Sequence, residues 1–96
     1  MIRHTVVFKF KDQISAIKEK DFFIAIKKLA AIPGVQNFEC LKQIGKKNNF
    51  DFGVSMEFNG TDEYEQYNNH PMHVRFVKQY WKKDVDDFLE IDYQPL

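Results

Sequence analysis

Hydrophobic and polar residues alternate in two stretches of the chain. In the first, the apolar set is Ile2, His4, Val6, Phe8 and Phe10, and in the second it is Phe50, Phe52, Val54, Met56 and Phe58. Successive side chains of a β-strand point to opposite faces, so each stretch predicts a strand with one apolar face. His4 lies on the apolar face of the first strand.

Two further stretches carry apolar residues at intervals of three and four, the spacing of one helical face. The first begins after Ser15, ends at Pro33-Gly34, and carries Phe22, Phe23, Ile26, Leu29 and Ala30. The second follows Pro71 and carries His73, Phe76, Val77, Tyr80 and Trp81. Pro71 suits the first helical position, where its missing N–H costs nothing, and His70 then lies at the N-cap. The period directs the His73 ring toward the core.

The remaining segments complete a simple order of elements. Residues 35–44 predict a weaker strand, a polar loop follows, Thr61 caps a short helix that Asn68-Asn69 interrupts, and a last strand carries Leu89, Ile91 and Tyr93 on one side. The order is β-α-β-β-α-β. This predicts an α+β, ferredoxin-like fold: an antiparallel four-stranded sheet with both helices on one face.

Helices on one face leave the other face of the sheet uncovered. We expect Thr5, Val7, Phe38 and Phe88 to contribute to that second surface. Packing it against the same surface of a second copy removes apolar area from water. The sequence therefore predicts a homodimer built sheet to sheet, a dimeric α+β barrel.

Composition narrows the classes of partner and location. The 96 residues fit one domain, 1–96, and 14 basic and 14 acidic side chains give a net charge of zero, which disfavours binding to nucleic acid or an anionic membrane. Cys40, the one cysteine, excludes an internal disulfide framework. No stretch has the apolar length of a membrane span, and the N-terminus lacks a signal-peptide pattern. We expect a cytoplasmic protein.

Three polar residues converge on the space between sheet and helices. His73 is placed to act as a base, because the N-terminus of its helix disfavours a positive ring, and Tyr67 to donate to a developing oxyanion. His4, from the first strand, orients one of these groups. The predicted hydrophobic pocket around them is lined by Phe8, Phe23, Val54, His70, Phe76 and Trp81.

Each of these residues also has a purely structural explanation. A histidine on an apolar face is often a hydrogen-bonded core group, and a tyrosine at a helix end is often a packing residue. His70 and His73 offer two nitrogens to a metal, but Pro71 lies between them and no third ligand is evident. The sequence therefore predicts neither a metal nor another cofactor.

The chain resembles the stress-responsive A/B barrel (Dabb) family over nearly its whole length. The marks are the opening residues 4–11, HTVVFKFK, then Ile32-Pro33-Gly34-Val35, the segment 67–73, YNNHPMH, and Ile91-Asp92-Tyr93. The resemblance implies a homodimer of ferredoxin-like protomers.

One plant branch of the family is a cofactor-independent polyketide cyclase, in which the residues matching His73 and Tyr67 act as base and carbonyl partner. This chain departs from that branch at Arg75, Ile26 and Asn68. The resemblance implies a homodimer with a small hydrophobic pocket: a cofactor-free cyclase or lyase that acts through enolate or aldol chemistry on a polyketide-like or other small carbonyl compound. A non-catalytic small-molecule-binding dimer, or a stress-associated structural one, is the alternative.

Two further classes of function follow from the fold alone. Dimeric α+β barrels include cofactor-free monooxygenases, which keeps oxygen chemistry open. RNA-binding domains share the βαββαβ order, but their Gly-Phe-rich signature and a basic sheet surface are absent here.

Overall fold

The computed structural model describes all 96 residues, Met1–Leu96. The elements are β1 (Ile2–Phe10), α1 (Ala16–Lys27), β2 (Gln36–Lys42), β3 (Phe52–Phe58), α2 (Thr61–Asn69), α3 (Pro71–Phe76) and β4 (Val85–Tyr93). A 3₁₀ turn, Lys28–Ala31, continues α1, while a π-helical segment, Val77–Trp81, and one helical turn, Lys82–Asp84, continue α3.

The four strands form one antiparallel sheet in the order β2-β3-β1-β4. The predicted α+β, ferredoxin-like fold is confirmed. On central strand β1, Val6 pairs with Val54 of β3 on one side and with Glu90 of β4 on the other. Since paired residues share a face, this register determines which side chains of β3 and β4 meet the helices.

The ends of the elements follow local signals. The Ser15 side chain accepts a hydrogen bond from the Lys18 N–H at 3.1 Å, which caps α1 as expected. Gly34, with φ of 93°, takes the left-handed conformation that turns the chain toward β2. Thr61 was predicted to cap α2, but Gly60 holds that position and Thr61 is the first helical residue.

The helical segment after Pro71 is less regular than its 3.6-residue period predicts. The Lys82 N–H donates to the carbonyl of Val77, five residues earlier, which inserts one extra residue into the turn. Phe76 and Trp81 therefore both reach the interior although they stand five residues apart.

The uncovered face of the sheet differs in part from its prediction. Thr5 and Val7 lie there, but Phe38 and Phe88 were placed on the wrong face. Phe88 pairs with Phe8, whose side chain is buried against the helices. Phe38 also packs against the core, because it alternates with Glu39, which pairs with the outward Ser55, and so shares the inward face with Cys40.

Candidate active site and ligand cavity

A cavity of about 300 Å³ lies between the sheet and the helices. Its walls are mostly apolar and come from both layers: Val6, Val54 and Met56 from the sheet, and Ile26, Leu29 and Phe76 from the helical side. Its polar lining groups are His4, Tyr67, His73, Lys82 and Glu90. An apolar cavity with a few convergent polar groups is typical of a small-molecule site.

His73 is held in one orientation by the end of the preceding helix. Pro71 cannot continue α2, so the carbonyl of Asn68 is left free, and Nδ1 of His73 donates to it at 3.1 Å. The ring also packs against Tyr67, with 4.5 Å between the ring centres. Since Nδ1 carries the proton, Nε2 is left as an acceptor for whatever enters the cavity.

The environment of His73 favours the neutral ring. Burial lowers the pKa of His73 and is the largest cause, and the nearby His4 ring lowers it further. The bond to Asn68 and the Glu90 carboxylate act in the opposite direction, but the pKa stays below its usual value. At neutral pH His73 therefore presents an unprotonated nitrogen.

Tyr67 is almost fully buried, yet its hydroxyl makes no hydrogen bond within the chain. The residue is 3% exposed, and its ring packs on Phe58 with centres 5.3 Å apart. No fully buried polar side-chain atom lacks a partner in this chain, so the hydroxyl opens onto the cavity. Burial, followed by the charge of Glu90, raises the pKa of Tyr67 well above its usual range. The hydroxyl stays protonated and able to donate.

His4 belongs to a three-residue network. Its Nδ1 donates to Asp92 Oδ1 at 2.7 Å, and the Tyr64 hydroxyl oxygen lies 2.8 Å from the same nitrogen. Tyr64 in turn donates to Asp92 Oδ2 at 2.9 Å. Burial, followed by the hydrogen bond to Asp92, raises the pKa of Tyr64 above its usual range. The network fixes the tautomer of His4, so its Nε2 is also left as an acceptor.

The structure brings together six of the predicted site residues and separates three. His4, Tyr67, His73, Val54, Phe76 and Trp81 line the cavity. Phe8 and Phe23 instead pack in an aromatic cluster beside it, with ring centres 6.4 Å apart. His70 caps α3, where its Nδ1 accepts from the Met72 N–H at 3.1 Å.

Sequence reasoning missed four polar residues of the site: Tyr64, Lys82, Glu90 and Asp92. Tyr64 stands three residues before Tyr67 and so shares its helical face. Glu90 and Asp92 alternate with the residues of β4 that face away from the helices, and both lie beside the inward side chains of β1. The period of each element would have shown that Tyr64, Glu90 and Asp92 point inward. A polar residue on an exposed edge strand, however, more often faces solvent, so the sequence offered no reason to place it in the site.

Ile26 and Arg75, two residues at which this chain departs from the plant cyclase branch, lie in different places. Ile26 lines the cavity. Arg75 is exposed and lies in a separate surface groove with Lys28 and Gln79, so it does not narrow the cavity.

No group of three or more His, Cys, Asp or Glu side chains is arranged to hold a metal ion. No helix has the length and apolar character needed to cross a membrane.

Known proteins resemble this chain along almost its whole length. A Dabb family protein of ferredoxin-like fold from Mesorhizobium loti is 51% identical, with a TM-score of 0.94 over 99% of this chain and 96% of that one. Olivetolic acid cyclase from Cannabis sativa is 29% identical over 101 residues, covering 98% of this chain and 96% of the cyclase. A dimeric ferredoxin-like protein of unknown function from Thermobifida fusca is 26% identical, with a TM-score of 0.82 over 96% of this chain and 88% of that one.

The family model described as Stress responsive A/B Barrel Domain matches residues 2–95. That match covers all four strands and every helix of the cavity wall. The chain belongs to the stress-responsive A/B barrel (Dabb) family.

Proposed function

We propose that the protein is a cofactor-free enzyme that removes a proton from the carbon beside a carbonyl group, and so forms an enolate for cyclase or lyase chemistry. The observation that carries this proposal is the pairing of His73 and Tyr67. The rings touch, both face one cavity, and neither Nε2 of His73 nor the Tyr67 hydroxyl has a partner in the chain.

The two groups divide the chemistry between them. Nε2 of His73 accepts the proton from the α-carbon, and the electron pair of the broken C–H bond moves onto the carbonyl oxygen. The Tyr67 hydroxyl donates a hydrogen bond to that oxygen as its charge grows. Attack of the enolate carbon on a second carbonyl gives an aldol product, and His73 returns its proton to the new alkoxide.

The surroundings strengthen both roles. The Asn68 carbonyl accepts from Nδ1 and so stabilises the imidazolium that forms after proton transfer. The apolar walls lower the local dielectric constant, which makes the hydrogen bond from Tyr67 stronger than it would be in solution. His4 supplies a second nitrogen acceptor, fixed by Asp92, that binds a hydroxyl or enol group of the substrate.

The relative named as a cyclase supports carbonyl chemistry in this fold. The size of the cavity suggests which carbonyl compounds fit. A volume of about 300 Å³ holds roughly ten to fifteen non-hydrogen atoms, since one water takes about 30 Å³ of liquid volume. We propose a polyketide-like or other small carbonyl compound rather than one with a long acyl tail.

Exchange of hydrogen for deuterium tests the proton-transfer step without knowledge of the natural substrate. 4-Phenylbutan-2-one in D₂O is a suitable probe, and proton NMR follows its α-hydrogens. We expect the wild type to accelerate exchange and His73→Gln to reduce the enzyme-dependent rate about 100-fold, the usual scale for loss of a general base.

The matched control is His70→Asn. His70 caps α3 outside the cavity, and asparagine is also a good N-cap, so this variant should exchange at the wild-type rate. Thermal melting monitored by circular dichroism shows whether each variant is folded. Equal exchange by the wild type and folded His73→Gln contradicts the proposal and leaves a non-catalytic binding protein as the better explanation.

We also propose that the protein is a homodimer joined through the uncovered faces of its sheets. Leu41, Leu89 and Tyr93 are each about half exposed, and Leu89 and Tyr93 share that face with Val7. A similar protein from Thermobifida fusca is dimeric. Sedimentation velocity should show a dimer for the wild type and a monomer for Leu89→Lys. Ile17→Lys, at an exposed position of α1, is the control and should remain dimeric. A Leu89→Lys variant that is still a dimer would count against this interface.

We place the protein in the cytoplasm. Cys40 is a free, half-buried thiol, and burial raises its pKa, which keeps the thiol protonated and slow to react. A free thiol suits a reducing compartment. Immunoblotting of fractionated cells tests this location.

A further inference from the structure

The polar lining of the cavity consists mainly of acceptors. Nδ1 of His4 and Nδ1 of His73 are both engaged by the protein, so Nε2 is the nitrogen of each ring that remains for a ligand. Glu90 adds a carboxylate. The Tyr67 hydroxyl is a donor among them, and it belongs to a buried side chain. A ligand that satisfies this set must bring hydrogen-bond donors of its own.

Glu90 supplies the negative charge of the cavity. It lies on β4 beside Val6, on the face of the sheet that meets the helices, and no ion pair in the chain involves it. Its charge raises the pKa of Tyr64, Tyr67 and His73, as expected for a carboxylate close to these three side chains.

Lys82 is the opposing charge at the cavity, and its influence is smaller. Its side chain is exposed and sits on the last helical turn before β4. It contributes to none of the pKa shifts at Tyr64, Tyr67 or His73. Of the two charged lining residues, Glu90 is therefore the one that acts on all three side chains. Asp92 also acts on Tyr64, and the His4 ring acts on His73.

We propose that Glu90 selects ligands by charge, so that the cavity takes a small neutral or cationic molecule with hydroxyl or ammonium donors and disfavours a carboxylate. This deepens the proposed function, on which it rests for the presence of a small molecule in this cavity. Enols, phenols and amines supply the donors that the two Nε2 atoms and Glu90 require. An organic acid brings a second negative charge close to Glu90, which costs binding energy.

Three phenols of nearly equal size test the proposal: tyramine carries an ammonium group, tyrosol a neutral hydroxyl, and 4-hydroxyphenylacetate a carboxylate. Chemical-shift titration of the ¹⁵N-labelled histidine rings gives a dissociation constant for each. We expect tyramine to bind about fivefold or more tightly than 4-hydroxyphenylacetate, with tyrosol between them. The preference should shrink in 0.5 M NaCl, because salt screens a charge near the surface.

Glu90→Gln should bring the three affinities within about twofold of each other, since only the charge is removed. Glu65→Gln, an exposed acid on the outer surface of α2, and Lys82→Gln should both keep the wild-type order. Glu90 is exposed on an edge strand, so its variant should remain folded.

Three results overturn the proposal: equal or reversed affinities in the wild type, an unchanged preference in Glu90→Gln, or no shift with any phenol. The titration requires no turnover. Deuterium exchange by a protein that lacks the charge preference would refute the selection by Glu90 and leave the enolate chemistry standing. A charge preference in a protein that does not accelerate deuterium exchange would support the selection by Glu90 and refute the enolate chemistry.

Discussion

The space between the sheet and the helices is filled differently at its two ends. At one end, aromatic rings pack edge to face, as in Phe10 and Phe22, whose centres are 4.9 Å apart at 90°. At the other end, His4, Tyr67 and His73 surround a cavity of about 300 Å³. Strand β1 contributes to both, with Phe8 and Phe10 at the aromatic end and His4 at the polar end.

Strand β1 therefore carries residues that stabilise the fold at one end and a residue of the proposed active site at the other. Phenylalanine rings have no polar atoms to satisfy, so they pack directly on one another at the first end and contribute a large apolar area to folding. The polar end leaves two nitrogens and a hydroxyl unpaired beside open space, which gives up contacts that a filled core would make. A small domain can keep such an opening only because the other end is densely packed.

Phe22→Ala breaks the aromatic end and should have the largest effect on stability. Phe22 is fully buried and touches rings from β1 and α3, so its removal leaves a cavity and should cost about 3–5 kcal/mol. Urea unfolding measures the change. Phe88→Ala, at a half-exposed ring on edge strand β4, should cost much less. Equal losses in the two variants would refute the division between the ends.

Tyr67→Phe removes one oxygen from the polar end and should affect catalysis rather than folding. The hydroxyl has no partner in the chain, so the free energy of unfolding should change by less than about 1 kcal/mol. Deuterium exchange should fall about 100-fold, as for the loss of one oxyanion donor. Tyr80→Phe, whose ring lines a separate groove, is the matched control. A wild-type exchange rate in Tyr67→Phe would remove its proposed role.

Asp92→Ala tests whether the network behind His4 positions that ring. Asp92 is half exposed, so the loss of its bonds should cost only about 1 kcal/mol of stability. The more specific readout is the ¹⁵N spectrum of His4, which should change from one fixed tautomer to a mixture. Tyr64→Phe keeps the Asp92–His4 bond and should show a smaller change. An unaltered His4 spectrum in Asp92→Ala would show that packing alone holds the ring.

The smallest expected effect is the response of His73 to pH. Because burial lowers its pKa in the folded state, the unfolded chain binds a proton first as pH falls, and stability decreases below about pH 6.5. Exchange activity should stay constant from about pH 9 down through about pH 6.5 and fall only at lower pH, because the folded protein protonates His73 below the ordinary histidine value. Chemical unfolding of wild type and His73→Gln at pH 7.5 and 5.5 isolates this contribution. An identical pH dependence in the two proteins would show that His73 is not the group responsible.

Local sequence patterns determined the direction of several site residues and the position of one helix cap. Alternation placed His4 on the inward face of β1, and the Pro71 signal placed His70 at the cap and His73 in the first turn of α3. These features depend on periods of two and 3.6 residues and on the missing N–H of proline, which act over a few neighbouring residues.

Tertiary packing decided which inward residues meet open space. Phe8 and Val54 both lie on inward faces, yet only Val54 borders the cavity, because aromatic rings fill the volume above Phe8. Tyr64 and Asp92 reach His4 across 60 and 88 residues of chain, a distance over which no local period carries information.

Local periods gave the direction of most side chains within an element, although Phe38 and Phe88 were assigned to the wrong face. The neighbours that each side chain would find depended on how the strands pair and the helices pack, which only the assembled layers determine.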